Sequence, residues 1–218
     1  SFPYMNTGSG WKLTLQETVV PVSVTDVDGT ATYLVYNDSD GTEHYFKKSG
    51  SDSSKYEDED GLNLTITKSG TTYTMTDKKD NKKVFEDGYL TSIMDANGNE
   101  IRIVYDTSHL LKRIVSIPKG GTEKTLFTFT FDSVSHTLFQ IEDYAGRKYW
   151  FTYNSDKNGK YQLYQIIRYD AGNTASPNTV EARYLYDTDN LRMTHAYDME
   201  SGNRVRSEER FSRNAETD

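Results

Sequence analysis

One phrase occurs twice at a fixed interval, and a chain that carries it has few folds open to it. Residues 90–106 read LTSIMDANGNEIRIVYD, and residues 138–154 read LFQIEDYAGRKYWFTYN. Leu90 aligns with Leu138, Ile93 with Ile141, Asp95 with Asp143, Gly98 with Gly146, Ile103 with Phe151 and Tyr105 with Tyr153, each pair 48 residues apart and without a gap. Self-similarity at a fixed period is the mark of stacked units, none of which can bury its apolar face alone.

Each copy has the pattern of a β-hairpin. An apolar strand starting at Leu90 enters the turn Asp95-Ala96-Asn97-Gly98, and the return strand Ile101–Tyr105 alternates as a half-buried strand does. Asp opening a turn and Gly three residues on fit a type I turn closed at positive φ, where only Gly escapes Cβ strain. Four strands end on an aromatic followed by Asp or Asn: Tyr105-Asp106, Phe131-Asp132, Tyr153-Asn154 and Tyr186-Asp187. The aromatic anchors the strand, and the Asp or Asn oxygen bonds backbone N–H groups of the next turn. Asn154 keeps that oxygen without the charge, which assigns the position to backbone geometry rather than proton transfer.

These residues resemble the Rhs/YD-repeat family, whose unit is an aromatic-x-Tyr-Asp strand end followed by a Gly-Arg/Asn-Leu hairpin. The matching segments are IVYD, FTFD, FTYN and YLYD, ending at Asp106, Asp132, Asn154 and Asp187 with Phe129, Phe151 and Tyr184 two positions before the final aromatic, and DANGN, DYAGR and YDAGN at 95–99, 143–147 and 169–173. The resemblance covers about residues 73–206. It implies a long antiparallel strip of consecutive hairpins, curved or partly wound into an open, shell-like or barrel-like sheet. It also implies a bacterial extracellular or cell-surface setting. The implied partners are the remaining YD repeats of a longer protein, an enclosed C-terminal toxin segment, or a surface glycan or protein.

Aliphatic residues are scarce: 34% of the chain is hydrophobic, and Tyr supplies 17 residues. Such a chain covers one sheet face more readily than it fills a dense sandwich, and Tyr suits that use because its ring packs while its hydroxyl stays wet. Zero cysteines exclude a disulfide framework and thiol chemistry, and a net charge of −8 argues against a nucleic-acid or anionic-membrane surface. No apolar run reaches the length of a membrane span.

In order along the chain, residues 1–72 are expected to form hairpins leading into the repeats, 73–206 the repeats themselves, and 207–218 a polar tail that frays, the whole being one continuous unit excised from something longer. A first strand is expected over 11–20 with Leu13 and Leu15 on one face, and 49–61 reads as a polar loop. A Leu-x-x-Ile pair recurs at Leu90/Ile93, Leu111/Ile114, Leu138/Ile141 and Leu163/Ile166. A separation of three puts the two side chains on opposite faces, so either a bulge realigns them or the sheet is covered on both sides. Phe127, Phe129 and Phe131 fall on one face of a strand expected in the sheet interior.

No pattern of catalysis stands out. The turns around Gly41 and Gly61 fail the calcium-loop test at the first and twelfth ligands (Tyr36 and Lys47; Tyr56 and Thr67). His44, His109, His136 and His195 lack metal spacing, and no nucleophile elbow, P-loop or dinucleotide fingerprint occurs. Lys78, Lys79, Lys82 and Lys83 read as a solvated hairpin tip. The expectation is a non-catalytic structural segment with no cofactor and no metal. The alternative is a carbohydrate- or protein-binding adhesion module using exposed Trp11, Tyr149, Trp150, Tyr161 and Tyr164. A hydrolase built from turn carboxylates is a weaker third.

Overall fold

A computed structural model describes residues 5–26, 29–172, 179–199 and 203–207. They are all-β, with no helix among them, and consecutive strands are antiparallel neighbours throughout both compact units. One unit spans residues 13–126; the other joins residues 5–12 to those from 127 onward. Of the tail expected to fray, 207–218, Ser207 ends a strand and residues 208–218 lie outside the described residues, as does Asn173.

The first unit contains β1 (Thr18–Asp26), β2 (Gly29–Asn37), β3 (Glu43–Lys48), β4 (Lys55–Asp58), β5 (Thr65–Ser69), β6 (Thr72–Thr76), β7 (Lys82–Glu86), β8 (Tyr89–Met94), β9 (Glu100–Tyr105) and β10 (Leu111–Ile117). Its first eight strands close on themselves. Thr18 pairs with Tyr89, and the Val19 N–H donates to the Gly88 carbonyl at 3.0 Å, which joins β1 to β8. From Ser92 to Met94, β8 pairs with β9 instead, so β9 and β10 leave the ring at that point. A ring of eight strands is just wide enough to be filled by side chains. Here Val19, Leu34, Phe46, Ile66, Phe85 and Leu90 fill it, none more than 1% exposed.

Two readings of this half are corrected. The strand expected from Trp11 begins at Thr18, because the Gln16 side chain accepts the Leu13 N–H and its own N–H bonds the Leu13 carbonyl, closing a turn. β1 then continues through Pro21, which faces Leu34. The Val19 N–H points away from β2, so by alternation the Pro21 nitrogen does too, and its missing donor costs no β1–β2 bond. The polar loop at 49–61 contains β4. Its one ring, Tyr56, is buried between outward-facing Lys55 and Glu57, a single inward residue that a count of polar residues hides.

The second unit holds most of β11 (Lys124–Phe131), then β12 (Leu138–Asp143), β13 (Lys148–Ser155), β14 (Tyr161–Tyr169), β15 (Thr179–Tyr186), β16 (Met193–Asp198) and β17 (Asn203–Ser207). Residues 5–12 strap across it: the Leu138 N–H donates to the Asn6 carbonyl and the Ser9 N–H to the Tyr161 carbonyl, both at 2.7 Å. Gly8 has φ 93°, and a Cβ there would sit 3.0 Å from the Leu163 nitrogen, so the strap crosses only at glycine. Register places Phe127, Phe129 and Phe131 on one face, with Phe129 buried but Phe127 exposed. Aromatics are not confined to that face. Trp150 stands opposite Gln140 and Ile167 on the other, packed between Phe139 and Tyr169.

Candidate functional site

The recurring element is the repeat junction, where an aromatic, a leucine and a bulge meet. Each Leu-x-x-Ile strand carries one extra residue directly after its leucine: Thr91 in β8, Lys112 in β10, Phe139 in β12 and Tyr164 in β14. β16 does the same with Thr194 after Met193. The extra residue brings Leu138 and Ile141, opposite Phe131 and Phe129, onto one face, so the spacing of three is resolved by bulges. The strand-ending aromatics stand opposite these positions, Tyr105 with Leu111, Phe131 with Leu138, Tyr153 with Leu163 and Tyr186 with Met193.

A bulge disrupts the ladder and leaves backbone groups in search of partners. The tyrosines supply them. The Tyr105 hydroxyl donates to the Leu90 carbonyl at 2.9 Å, Tyr153 to Leu138 at 2.8 Å and Tyr186 to Leu163 at 2.9 Å. Every acceptor is the leucine just before a bulge in an earlier unit. Burial pushes the Tyr105 and Tyr153 phenols far above their ordinary range; Tyr186 is raised as well, chiefly by burial, with the Trp11 indole N–H pulling it back.

The turn aspartates serve the backbone. Asp95 Oδ1 accepts the N–H groups of Asn97 and Asn99, and its Oδ2 accepts the Asn99 carboxamide at 2.7 Å; Gly98 takes φ 88°. Asn99 in turn accepts the Lys119 N–H, and Asn81, the matching residue one hairpin earlier, accepts the Ala96 N–H, so each carboxamide ties its turn to a neighbouring one. Asp143 repeats the scheme with Arg147 in place of Asn, and Gly146 at φ 81°. Burial raises the Asp143 carboxyl, but the Arg147 N–H and guanidinium outweigh it and hold it below the usual range. Asp106, Asp132 and Asp187 likewise each accept two turn N–H groups. Asn154 differs: it lies within β13 opposite Gln162, and Asp156 takes the turn role two residues later.

His109 and His136 occupy positive-φ turn positions, and the Asp38 and Asp58 carboxylates near Gly41 and Gly61 accept backbone N–H groups. The His44 ring nitrogen bonded to Asp38 at 3.1 Å, with the turn amides, pulls that carboxyl down to about 2. Of the five candidate binding aromatics, Trp150 and Tyr164 share one face of the second unit. Tyr149, Tyr161 and Trp11 belong to the other: Tyr149 pairs with Ile141, Tyr161 packs on Tyr153, and Trp11 packs on Tyr184 and bonds the Tyr186 hydroxyl.

Lys83 corrects the hairpin-tip reading. It points into the ring of strands, where its Nζ donates to Glu17 Oε2 at 2.6 Å and to the Tyr36 hydroxyl at 3.0 Å, while that hydroxyl donates to Glu17 at 2.7 Å. The Glu17 side chain is only 8% exposed and that of Lys83 32%, so a buried carboxylate meets a half-buried ammonium, with a phenol completing the pair. Burial first, then the Glu17 carboxylate, drive the Tyr36 phenol far above its ordinary range. The parity of Lys83 with inward Phe85 was the signal in the sequence.

No family model matches the chain, and no curated protein matches it. Among solved structures it is similar to crystal structures of TcdB2-TccC3-TEV (TM-score 0.49), TcdB2-TccC3-Cdc42 (0.46) and TcdB2-TccC3 without hypervariable C-terminal region (0.47). Each is 14% identical over 83% of this chain and 10% of the other, so the chain spans about a tenth of their length. A likeness at that level carries no inference about activity or partners.

Proposed function

We propose that the chain is a non-catalytic wall segment of a longer secreted or surface protein of the Rhs/YD type, part of a β-shell that encloses or presents another segment such as a C-terminal toxin. The observation that supports it is the use made of the repeat residues. Tyr105, Tyr153 and Tyr186 spend their hydroxyls on bulge carbonyls, and Asp95, Asp106, Asp132, Asp143 and Asp187 spend their carboxylates on turn amides. The test is protease protection in the full-length protein. A wall predicts that an enclosed segment resists added protease until Leu138→Asp opens the sheet; equal digestion of both forms ends the reading.

A second reading, a carbohydrate-binding adhesion module, is favoured by the half-buried Trp150. Its ring centroid lies 5.2 Å from Phe139 and 4.5 Å from Tyr169, and its indole N–H is fixed by the Gln140 carboxamide at 2.8 Å. Flat amphipathic rings held in place offer contact area at little entropic cost. Quenching of tryptophan fluorescence by soluble glycans tests it.

A further inference from the structure

The β1–β2 hairpin outruns the ring it helps to build. β8 meets β1 only at Thr18, and β3 accompanies β2 only as far as Tyr33. Beyond those points β1 and β2 pair with each other as far as Asp26 and Gly29, with no third strand among the described residues. Residues 21–25 are all exposed, as are Ala31 and Thr32. A two-stranded ribbon alone in water is marginal at best, so an arm of this kind needs cover.

The two faces of the arm differ. Val19 lies inside the ring, so by alternation Pro21, Ser23 and Thr25 continue that side, while Val20, Val22 and Val24 take the other. Register adds Tyr33 opposite Val22 and Ala31 opposite Val24, which makes the second side an apolar strip. On it Val22 is 37% and Val24 40% exposed.

The long edge of β1 is open as well. The Val19 N–H points to the Gly88 carbonyl rather than to β2. Ser23 has the same parity, so it turns both its backbone groups to that edge, where Pro21 offers a carbonyl alone. Edge strands are ordinarily blunted by brevity, charge or proline. β1 runs for nine residues and carries no charge before Asp26, and β2 carries none at all, in a chain that is 27% charged. Within β1, Pro21 is the sole safeguard.

We propose that this edge pairs with a second copy of the chain across a two-fold axis at Ser23, giving a reversible dimer joined by a four-stranded sheet. The Ser23 N–H donates to the Ser23 carbonyl of the second copy and the same bond is returned. Val22 then faces Val24 of the second copy, and the apolar strip runs unbroken from Ala31 and Val24 of one copy to Val22 and Tyr33 of the other. Charge selects this occupant. Two chains of net charge −8 repel, so they associate only through surface that is uncharged on both sides, and here the two sides are the same strand. A contact along one strand edge falls short of the about 1,200 Å² of a stable interface, so the dimer forms and dissociates with concentration.

The test is sedimentation velocity of the whole chain from low to high micromolar concentration. A monomer–dimer equilibrium is expected. Ser23→Pro should weaken it at least tenfold with unchanged circular dichroism, because position 23, like position 21, gives no N–H to β2. Pro21→Val restores a donor to the edge and should tighten the dimer. The chain has no cysteine, so Ser23→Cys should form a disulfide-linked dimer on mild oxidation, and exposed Ser51→Cys should not. A monomer at every concentration overturns the proposal. So does a dimer whose affinity neither proline change moves, and so does growth beyond the dimer, since a two-fold contact closes on itself.

Discussion

The hydroxyl of Tyr153 lies 2.8 Å from the carbonyl oxygen of Leu138, the residue immediately before the β12 bulge. Tyr105 stands in the same relation to Leu90, and Tyr186 to Leu163. Each tyrosine thus does two jobs in one side chain. Its ring faces the leucine or methionine of the following strand, and its hydroxyl repairs the ladder where an earlier strand bends. Curvature and cohesion come from the same residue, which explains why phenylalanine does not simply take over at every strand end.

Alkaline pH should loosen this arrangement. Burial holds the Tyr105 and Tyr153 phenols well above their unfolded value of about 10. The folded state therefore keeps these protons more tightly than the unfolded chain. The associated stability is complete below about pH 10 and is lost as pH rises above it. Melting temperature measured between pH 8 and 12 should fall steeply above pH 10, and the Tyr105→Phe/Tyr153→Phe double variant should show a shallower fall.

Closure of the ring depends on Gly88. Its φ is 89°, and a Cβ there would lie 2.8 Å from the Val19 carbonyl oxygen that faces it. Gly98 has φ 88°, but its nearest neighbour is the flexible Lys119 side chain at 3.5 Å. Gly98→Ala should cost about 1–2 kcal/mol from left-handed backbone strain alone. Gly88→Ala should cost measurably more, because backbone must move as well. Urea unfolding of the two variants separates strain from collision.

Removing Lys83 strands a carboxylate. Lys83→Met leaves Glu17 buried beside Tyr36 with no cation, and loss of one partner of a buried pair costs about 3–5 kcal/mol. Partial exposure of Lys83 sets the expectation at the low end. Adding Glu17→Gln should recover most of the loss, a sign of coupling that thermal denaturation of the single and double variants would reveal.

The repeat was legible because its residues are local and periodic. Leu90/Ile93 and its copies narrowed the choice to a bulge or a sheet covered on both faces, which strand register decides for the bulge, and Asp95 with Gly98 marked the turn. Asn154 misled because the return strand runs two residues further there, to Ser155, and hands the turn to Asp156. Closure was not legible, since it joins Thr18 to Tyr89 through one pair of residues and leaves no pattern besides Gly88. Aromatics on the second face were hidden for another reason, because bulges place Phe139 and Tyr164 where simple alternation would not.

The central claim is that tyrosine hydroxyls at bulges hold the repeats together. Chemical denaturation of Tyr105→Phe, Tyr153→Phe and Tyr186→Phe, set against Tyr161→Phe on the same sheet, tests it most directly. Tyr161 is 38% exposed and contributes its ring to Tyr153. The account predicts a loss of about 1–2 kcal/mol for each of the first three, the cost of a buried carbonyl left without its donor, and within about 0.5 kcal/mol of no change for Tyr161→Phe. Four equal, negligible losses would contradict it.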